Sequence, residues 1–183
     1  MPFYLYDPPQ RFVAGAVGQP GERTFYLQAS DGGRVTSVSL EKFQVTQLAE
    51  RLDELLDEVL RRTGGPPPGA ASAPADDDPL DLPLMEEFRV GAIALAWDGE
   101  SDRVVIEAQE ESESPVEPLA DDIPADGPGV LRVRLTPAAA RAFAQRALRL
   151  VAQGRPPCPL CGLPLDTAGH VCPRQNGYRA GHD

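Results

Sequence analysis

The residues best suited to chemistry are three cysteines and a histidine near the C-terminal end of the sequence. Two residues separate Cys158 from Cys161, and one residue separates His170 from Cys172. A Cys-x-x-Cys turn can direct two thiolates at one ion, and an extended His-x-Cys projects both side chains to the same side. Three thiolates and an imidazole form the tetrahedral set that a structural Zn²⁺ takes. The spacing therefore predicts one zinc site.

Protein side chains would fill all four positions of this site, which is typical of a structural rather than a catalytic zinc. Gly162 and Gly169 ease the two turns that carry the ligands. One alternative is a set of buried or free thiols in a mobile tail. Another is a redox Cys-x-x-Cys, which is disfavoured because no βαβ pattern surrounds the pair.

Motifs of the common enzyme classes are missing from the sequence. It contains no Walker loop, no dinucleotide glycine fingerprint, no Gly-x-Ser-x-Gly elbow and no His-Glu-x-x-His. The chain has two histidines, and assigning His170 to zinc leaves only His182. The sequence therefore predicts neither catalytic nor cofactor-binding residues besides the zinc ligands, and it favours a protein that is not an enzyme.

Charge is distributed unevenly along the sequence. Residues 1–130 carry 9 basic and 26 acidic side chains, whereas residues 131–183 carry 8 arginines and 2 acidic side chains. A basic C-terminal part could pack against the acidic body or could bind an anion such as phosphate or nucleic acid. The overall net charge of −11 argues against non-specific DNA binding.

Composition indicates a folded protein outside membranes. Hydrophobic residues make up 42% of the chain, with no apolar run of transmembrane length and no basic-then-apolar leader. Cysteines at metal-ligand spacing suit a reducing compartment. A cytoplasmic location is expected.

Short alternating segments bounded by Gly, Pro and Asp predict strands. These segments are residues 1–7, 11–18, 23–29, 34–40, 87–97, 103–109 and 130–135. Turns at Gly18–Gly21 and Ser30–Gly33 indicate an antiparallel meander of the second, third and fourth segments.

A long helix is predicted over residues 41–62, with Ser39 as N-cap and Gly64 as the stop. Its apolar residues recur at three- and four-residue intervals. They are Val45, Leu48, Leu52, Leu55, Leu56 and Val59. The acidic residues on its other side are interpreted as a solvated face. They are Glu50, Asp53, Glu54, Asp57 and Glu58.

A second helix is predicted from Pro137 to about Ala152, because Thr136-Pro137 is a favoured pairing of N-cap and first helical position. Its apolar residues are expected to face inward, namely Ala140, Phe143, Ala147, Leu150 and Val151. Its polar residues are expected to face outward, namely Arg141, Gln145 and Arg149.

Two acidic, proline-rich stretches interrupt these elements, at residues 63–83 and 110–129. The first is predicted to be a linker that cannot order itself. Its Asp76-Asp77-Asp78 run is interpreted as solvated rather than as a Ca²⁺ or Mg²⁺ site. Deleting Ala70–Asp78 is accordingly expected to change stability by no more than roughly 0.5 kcal/mol.

The two halves of the sequence resemble each other, each reading strand, strand, strand, helix. Three pairs of segments match: 12–17 with 88–93, 23–29 with 102–108, and 37–40 with 133–136. Two such halves could share one sheet. Gly15 and Gly91, matched within strands, predict bulges or a close approach of another backbone.

The predicted fold class is therefore α+β. A pseudo-two-fold repeat would form one antiparallel sheet with both helices on one face, followed by a zinc-binding tail. The expected boundaries are 1–153 for the duplicated domain and 154–183 for the tail. Within the domain, repeat one spans 8–63, the linker 64–83 and repeat two 84–153.

Several of these motifs together resemble the actinobacterial DUF3090 family. They are Asp7-Pro-Pro-x-Arg11-Phe12-Val-Ala-Gly15, Gly21-Glu-Arg23-Thr24-Phe25, Leu52-Asp-Glu-Leu-Leu56, Cys158-Pro-x-Cys161-Gly162 and Gly169-His170-x-Cys172-Pro173-Arg174-x-Asn176-Gly177-Tyr178-Arg179. The family is uncharacterised, so the resemblance implies no active site. The resemblance also implies genes that often lie beside those of histidine-phosphatase-like and phosphoinositide-kinase-like proteins, and hence a partner or accessory role, with a phosphatase-like or kinase-like protein as the expected partner.

Three functional classes follow from these features. The first is a non-enzymatic interaction or adaptor protein, favoured by the missing catalytic motifs and the closed metal site. The second is nucleic-acid binding, in which Arg174 and Arg179 would grip phosphates. The third is an enzyme or regulator acting on a phosphorylated small molecule, in which Arg132 or Arg134 would meet a carboxylate in a concave pocket.

Overall fold

The computed structural model describes residues 2–64, 74–153 and 159–161. Its strands are β1 (Phe3–Tyr6), β2 (Arg11–Val17), β3 (Thr24–Asp31), β4 (Arg34–Leu40), β5 (Glu86–Asp98), β6 (Arg103–Glu110) and β7 (Val130–Leu135). Its helices are α1 (Lys42–Thr63) and α2 (Pro137–Ala152). These elements agree with the predicted segments to within a few residues, so the protein is α+β as expected.

The strands form one mixed sheet in the order β1-β7-β6-β5-β4-β3-β2. β1 pairs with β7 in parallel, and β4 pairs with β5 in parallel, while the other neighbours are antiparallel. The expectation of a purely antiparallel sheet is therefore wrong. An alternating pattern is the same for both strand directions, and the parallel pairs join segments that are far apart in the sequence.

The sheet curls so that its two end strands approach each other. β1 and β2 lie at opposite ends of the strand order, yet only residues 7–10 connect them. The hydroxyl of Tyr6 is 2.8 Å from Oγ1 of Thr36 on β4. The hydroxyl of Tyr4 donates to Oε2 of Glu87 on β5 over 2.8 Å, and burial together with this bond raises the pKa of Tyr4 to about 12. Side chains of β1 thus reach strands that are not its neighbours.

Capping residues mark the helix termini. Glu41, not Ser39, caps α1, because its carboxylate and the side chain of Gln44 form a capping box. Gly64 ends α1 with a φ of +62°. Thr136 caps α2 as predicted, since its Oγ1 accepts from the backbone N–H of Ala139 at 3.1 Å. None of the helices in the described ranges is long and apolar enough to cross a membrane.

Both helices pack on each other and on one face of the sheet. The rings of Phe12 on β2 and Phe143 on α2 stack with centroids 4.6 Å apart. Between the helices, Arg141 donates to Asp53 and Asp57, each at 2.7 Å. The acidic side of α1 is therefore only partly solvated, because two of its carboxylates neutralise an arginine of α2 that was expected to face outward.

The segment at residues 74–85 covers the opposite face of β2, β3 and β4. The buried side chain of Gln28 accepts from the N–H of Asp81 at 2.7 Å and donates to its carbonyl at 3.1 Å. A Cβ on Gly15 would lie 2.5 Å from Cγ of Leu80. This part of the predicted linker is therefore packed, and the expectation that deleting Ala70–Asp78 leaves stability unchanged loses its basis. Residues 65–73 lie outside the described residues.

The segment at residues 111–129 covers the same face of β5, β6 and β7. Glu107, only 1% exposed, accepts from the N–H of Leu119 at 3.0 Å and pairs with Arg132 at 2.6 Å. A Cβ on Gly91 would lie 2.7 Å from Cα of Glu111, and the β5–β6 register shifts at this glycine. The prediction of a bulge and a close backbone approach is confirmed at Gly91. At Gly15 a side chain approaches instead.

Candidate functional site

Two grooves of similar size lie between a helix and a strand of the other half of the sheet. We call the groove between α2 and β2 groove A. It has a volume of about 540 Å³, and residues 74–78 form one wall. We call the groove between α1 and β5 groove B. It has a volume of about 510 Å³, and Pro118 and Leu119 lie at its side.

Groove A is closed by an ion network. Asp76 receives two hydrogen bonds from Arg11, at 2.6 and 3.0 Å, and its Oδ1 lies 3.2 Å from Nη1 of Arg146. Nη1 of Arg146 also donates to the carbonyl of Asp76 at 2.7 Å, and Nε donates to the carbonyl of Ala14 at 2.9 Å. Asp76 therefore fastens the covering segment to both β2 and α2, contrary to the prediction of a solvated acidic run.

The ionisable groups in groove A shift one another's pKa values. The hydrogen bonds from Arg11 hold the pKa of Asp76 below its usual value, and the same bonds raise the pKa of Arg11. Burial lowers the pKa of Arg146. With its carboxylate already paired, Asp76 is a poor general base, so groove A fits a structural contact better than acid–base chemistry.

Groove B is lined mainly by apolar and amide side chains. α1 contributes Gln44, Gln47, Leu48 and Arg51, and Phe43 at its edge is 61% exposed. β5 contributes Gly91, Ile93, Ala94 and Leu95. Arg51 is the one titratable residue in this lining, and in the described part of the chain it has no ion pair. Groove B therefore offers apolar groups, two amides and one guanidinium, and no carboxylate.

The side chain of Gln44 is held in place at one end of groove B. Its Oε1 accepts from the N–H of Glu41 at 2.7 Å. Its Nε2 faces the carbonyls of Val90 and Gly91 at 3.3 and 3.4 Å. These bonds tie the first turn of α1 to the bulge in β5, so that end of groove B is fixed before any ligand arrives.

The arginines proposed as an anion clamp lie elsewhere. Arg132 pairs with the buried Glu107 and donates to the carbonyl of Ala120 at 2.7 Å. Arg134 lies 2.5 Å from Asp98 and 3.2 Å from Asp7, and its hydrogen bond lowers the pKa of Asp98. Both arginines pair with carboxylates, but neither lines groove A or groove B.

The basic C-terminal part of the chain packs against acidic partners wherever it is described. Arginines at five positions of this part have a carboxylate within ion-pair distance: Arg132, Arg134, Arg141, Arg146 and Arg149. Arg155, Arg174 and Arg179 lie outside the described residues. Of the two readings of the charge asymmetry, internal packing holds for these five arginines.

The predicted zinc ligands fall almost entirely outside the described residues. Cys161 lies in the short described stretch 159–161, whereas Cys158, His170 and Cys172 do not. Within the described ranges no three His, Cys, Asp or Glu residues come together as a metal site. The predicted ligand set therefore stays a prediction.

Groove B was missed because it has no motif. A weak signal exists in the sequence: Gln44, Gln47 and Arg51 follow one another at three- and four-residue spacing on α1. They therefore share a side of the helix beside its apolar stripe. Nothing in the local sequence indicates that β5 forms the other wall, because β5 is placed there by its parallel pairing with β4.

A mixed seven-stranded sheet with two helices places this chain in the α+β class. The family model described as a protein of unknown function (DUF3090) matches residues 4–172. The protein therefore belongs to the DUF3090 family. No curated protein and no solved structure matches the chain.

Proposed function

We propose that this protein is a non-enzymatic interaction or adaptor protein, and that groove B receives a segment of its protein partner. The observation that carries this proposal is the lining of groove B, in which apolar and amide side chains surround one guanidinium. Such a lining suits an extended peptide, which needs apolar contact and donors for its carbonyls. General acid–base catalysis would need a titratable group near neutral pH, and this lining has none.

Two other functions have less support. Nucleic-acid binding and recognition of a phosphorylated small molecule both need free cations. The five described arginines of the basic C-terminal part are paired with the protein's own carboxylates. Among the arginines of this C-terminal part, either function would depend on those beyond residue 153.

Affinity purification of the tagged full-length protein from its native cell tests the adaptor function. We expect a protein partner at near-stoichiometric level, and a phosphatase-like or kinase-like partner would agree with the family resemblance. Gln47→Trp should displace the partner, because Gln47 is exposed at the rim of groove B. Gln145→Trp, on an exposed position of α2, is the matched control. Recovery of no partner, or equal recovery with both variants, would refute the proposal.

The protein also carries, in our proposal, one structural Zn²⁺ bound by Cys158, Cys161, His170 and Cys172. The donor set supports this, because three thiolates and one imidazole complete a tetrahedron. The segment around these ligands is poor in apolar residues, so metal binding would supply most of its folding free energy.

Metal analysis of protein prepared without added zinc or chelator tests the zinc site. We expect one Zn²⁺ per chain, and loss of the metal in Cys161→Ser because a hydroxyl is a poor ligand at neutral pH. A chelator should leave the circular dichroism of the described α+β body intact. Less than a stoichiometric amount of metal, together with freely titratable thiols, would exclude the site.

The α+β body is further proposed to be a duplication, with β2-β3-β4-α1 equivalent to β5-β6-β7-α2. The strand registers support this equivalence. Val13 pairs with Gln28, and Gln28 pairs with Ser37. In the other half, Ala94 pairs with Glu107, and Glu107 pairs with Arg132. The registers match Val13 with Ala94, and so Phe12 with Ile93 rather than with Phe88 as the sequence comparison had it.

A further inference from the structure

Groove A and groove B occupy equivalent positions of the two halves. The buried residues have the same spacing on both helices: Val45, Leu48, Ala49 and Leu52 on α1, and Ala140, Phe143, Ala144 and Ala147 on α2. Aligning these residues matches Arg51 with Arg146. It also matches Gln44 with Ala139 and Gln47 with Ala142, and all six of these residues line their groove.

Groove A shows how such a groove holds a peptide segment. Pro74 and Ala75 line it together with Phe12 and Phe143. The next residue, Asp76, offers both its carboxylate and its carbonyl to Nη1 of Arg146. One guanidinium on the helix thus binds the side chain and the backbone of an acidic residue that lies two residues after a proline.

Groove B has the same guanidinium without a segment of the described chain paired to it. Arg51 is exposed there. Gln47, at the position of Ala142, adds an amide that can bond a peptide backbone. The position of Arg11 corresponds to Ala92, two residues before the matched pair Val13 and Ala94. Groove B therefore has one guanidinium where groove A has two.

The occupant of groove B should carry a single carboxylate rather than a run of negative charges. Glu50 and Glu54 are exposed on α1, one and three residues from Arg51, and they would repel a polyanion such as RNA. A second copy of this chain is a poorer occupant, because its own Asp76 segment is already held by Arg11 and Arg146.

We infer that groove B binds an extended, proline-containing segment of a partner protein and places one carboxylate of that segment on Arg51. This inference rests on the proposed adaptor function and specifies the chemistry of the partner. The segment would lie along groove B as residues 74–76 lie along the wall of groove A, with its apolar residues against Leu48, Ile93 and Phe43.

A labelled peptide with the sequence of residues 70–76, capped at both ends, carries a proline and one carboxylate and serves as the probe. Fluorescence polarisation with the full-length protein at low salt should show saturable binding. Arg51→Glu should weaken binding about tenfold or more, since a charge-assisted pair is replaced by repulsion. Arg61→Glu makes the same charge change on the exposed last turn of α1 and should leave binding unchanged.

A second peptide, with asparagine in place of the aspartate, separates the carboxylate from the rest of the contact. It should bind the original protein more weakly than the first peptide does, and Arg51→Glu should lose or reverse this preference, because its repulsion acts only on the carboxylate. No saturable binding up to about 1 mM, or equal loss in Arg51→Glu and Arg61→Glu, would overturn the inference.

Three further outcomes tell the failures apart. If a cellular partner is lost with Gln47→Trp but kept with Arg51→Glu, groove B binds a partner without the carboxylate, and only this inference fails. If no partner is recovered at all, the adaptor function itself fails. If the protein alone self-associates in sedimentation and Arg51→Glu abolishes that association, the occupant is a second copy, and the inference is overturned.

Discussion

The covering segments at residues 74–85 and 111–129 both pack on one face of the sheet, but different kinds of hydrogen bond hold them there. Over the first half of the sheet, the neutral Gln28 holds the N–H and the carbonyl of Asp81. Over the second half, Glu107 holds the N–H of Leu119 and relies on Arg132, which in turn holds the carbonyl of Ala120. An amide can be donor and acceptor at once, whereas a carboxylate only accepts and needs a cation to serve the second group.

This difference teaches that two covering segments held by hydrogen bonds of similar length can differ in their tolerance to substitution. Removing a neutral amide leaves backbone groups that water or local movement can satisfy. Removing the cation of a buried ion pair leaves an uncompensated charge. Substitutions in the second half of the sheet should therefore cost more unfolding free energy, although the hydrogen bonds that hold the two covering segments have similar lengths.

The largest expected effect comes from Arg132→Ala. It leaves Glu107 charged and buried, which costs about 3–5 kcal/mol of unfolding free energy. Gln28→Ala, the matched change in the first half, should cost only about 1–3 kcal/mol, because it leaves neutral groups unpaired. Urea unfolding followed by circular dichroism measures both values. Equal losses would show that the two halves are fastened alike.

A double variant sharpens the same comparison. Glu107→Leu together with Arg132→Met removes both charges, and we expect it to be clearly more stable than Arg132→Ala alone. A double variant as unstable as the single one would attribute the loss to packing rather than to the unpaired charge.

Alanine at Gly15 and at Gly91, the two strand glycines that lie under the covering segments, should give the next largest effects, about 1–3 kcal/mol each. Gly91→Ala should be the worse of the two, because its Cβ would meet the Cα of Glu111 at 2.7 Å. Gly15→Ala would meet the side chain of Leu80, which can change rotamer. Thermal unfolding of the two variants checks the order, and a larger loss at Gly15 would contradict the described covering of both strands.

Asp76→Asn should cost about 1 kcal/mol at neutral pH, because hydrogen bonds to a charged partner are lost at a partly exposed site. The folded-state pKa of Asp76 is lowered by Arg11. The stabilisation by the Asp76 carboxylate is therefore complete above the pKa of this residue in the unfolded chain, about 4. It is lost as the pH falls through the lower pKa of the folded protein. The gap between the original protein and Asp76→Asn should close in acid.

Asp77→Asn is the matched control and the smallest expected effect, within about 0.5 kcal/mol. Its carboxylate pairs with Arg149 at 3.1 Å, and both side chains are largely exposed. Two results would mean that the ion network in groove A does not hold the covering segment at residues 74–85. One is a loss of unfolding free energy in Asp76→Asn that does not change with pH. The other is a loss in Asp77→Asn as large as that in Asp76→Asn.

Much of the fold could be predicted because its signals are local. The strands β4 and β7 and the helix α2 have the predicted bounds, since Gly, Pro and Thr136 punctuate clear periodic patterns. The partners of β1 and β5 could not be predicted, because strand direction leaves no trace in a pattern of period two.

One signal in the sequence does indicate that the sheet is covered on both faces. β6 is buried on both faces from Val104 to Gln109, and its Val104-Val105-Ile106 run is continuous rather than alternating, as strands covered on both sides are. The acidic stretch before β7 was therefore a candidate cover. For residues 74–85 the signal is weaker, because the decisive contacts use Asp76 and the backbone of Asp81, and neither has an apolar pattern.

The pairing of β1 with β7 also constrains how the chain can fold as it is made. Residues 3–6 find their partners at residues 130–133, so β1 leaves the ribosome long before β7 exists. Such a distant contact is slow to close, because its loop entropy is lost before the contact forms. Until then an aromatic strand with free backbone groups stays open to other chains. Synthesis of this protein should therefore be sensitive to chaperone supply.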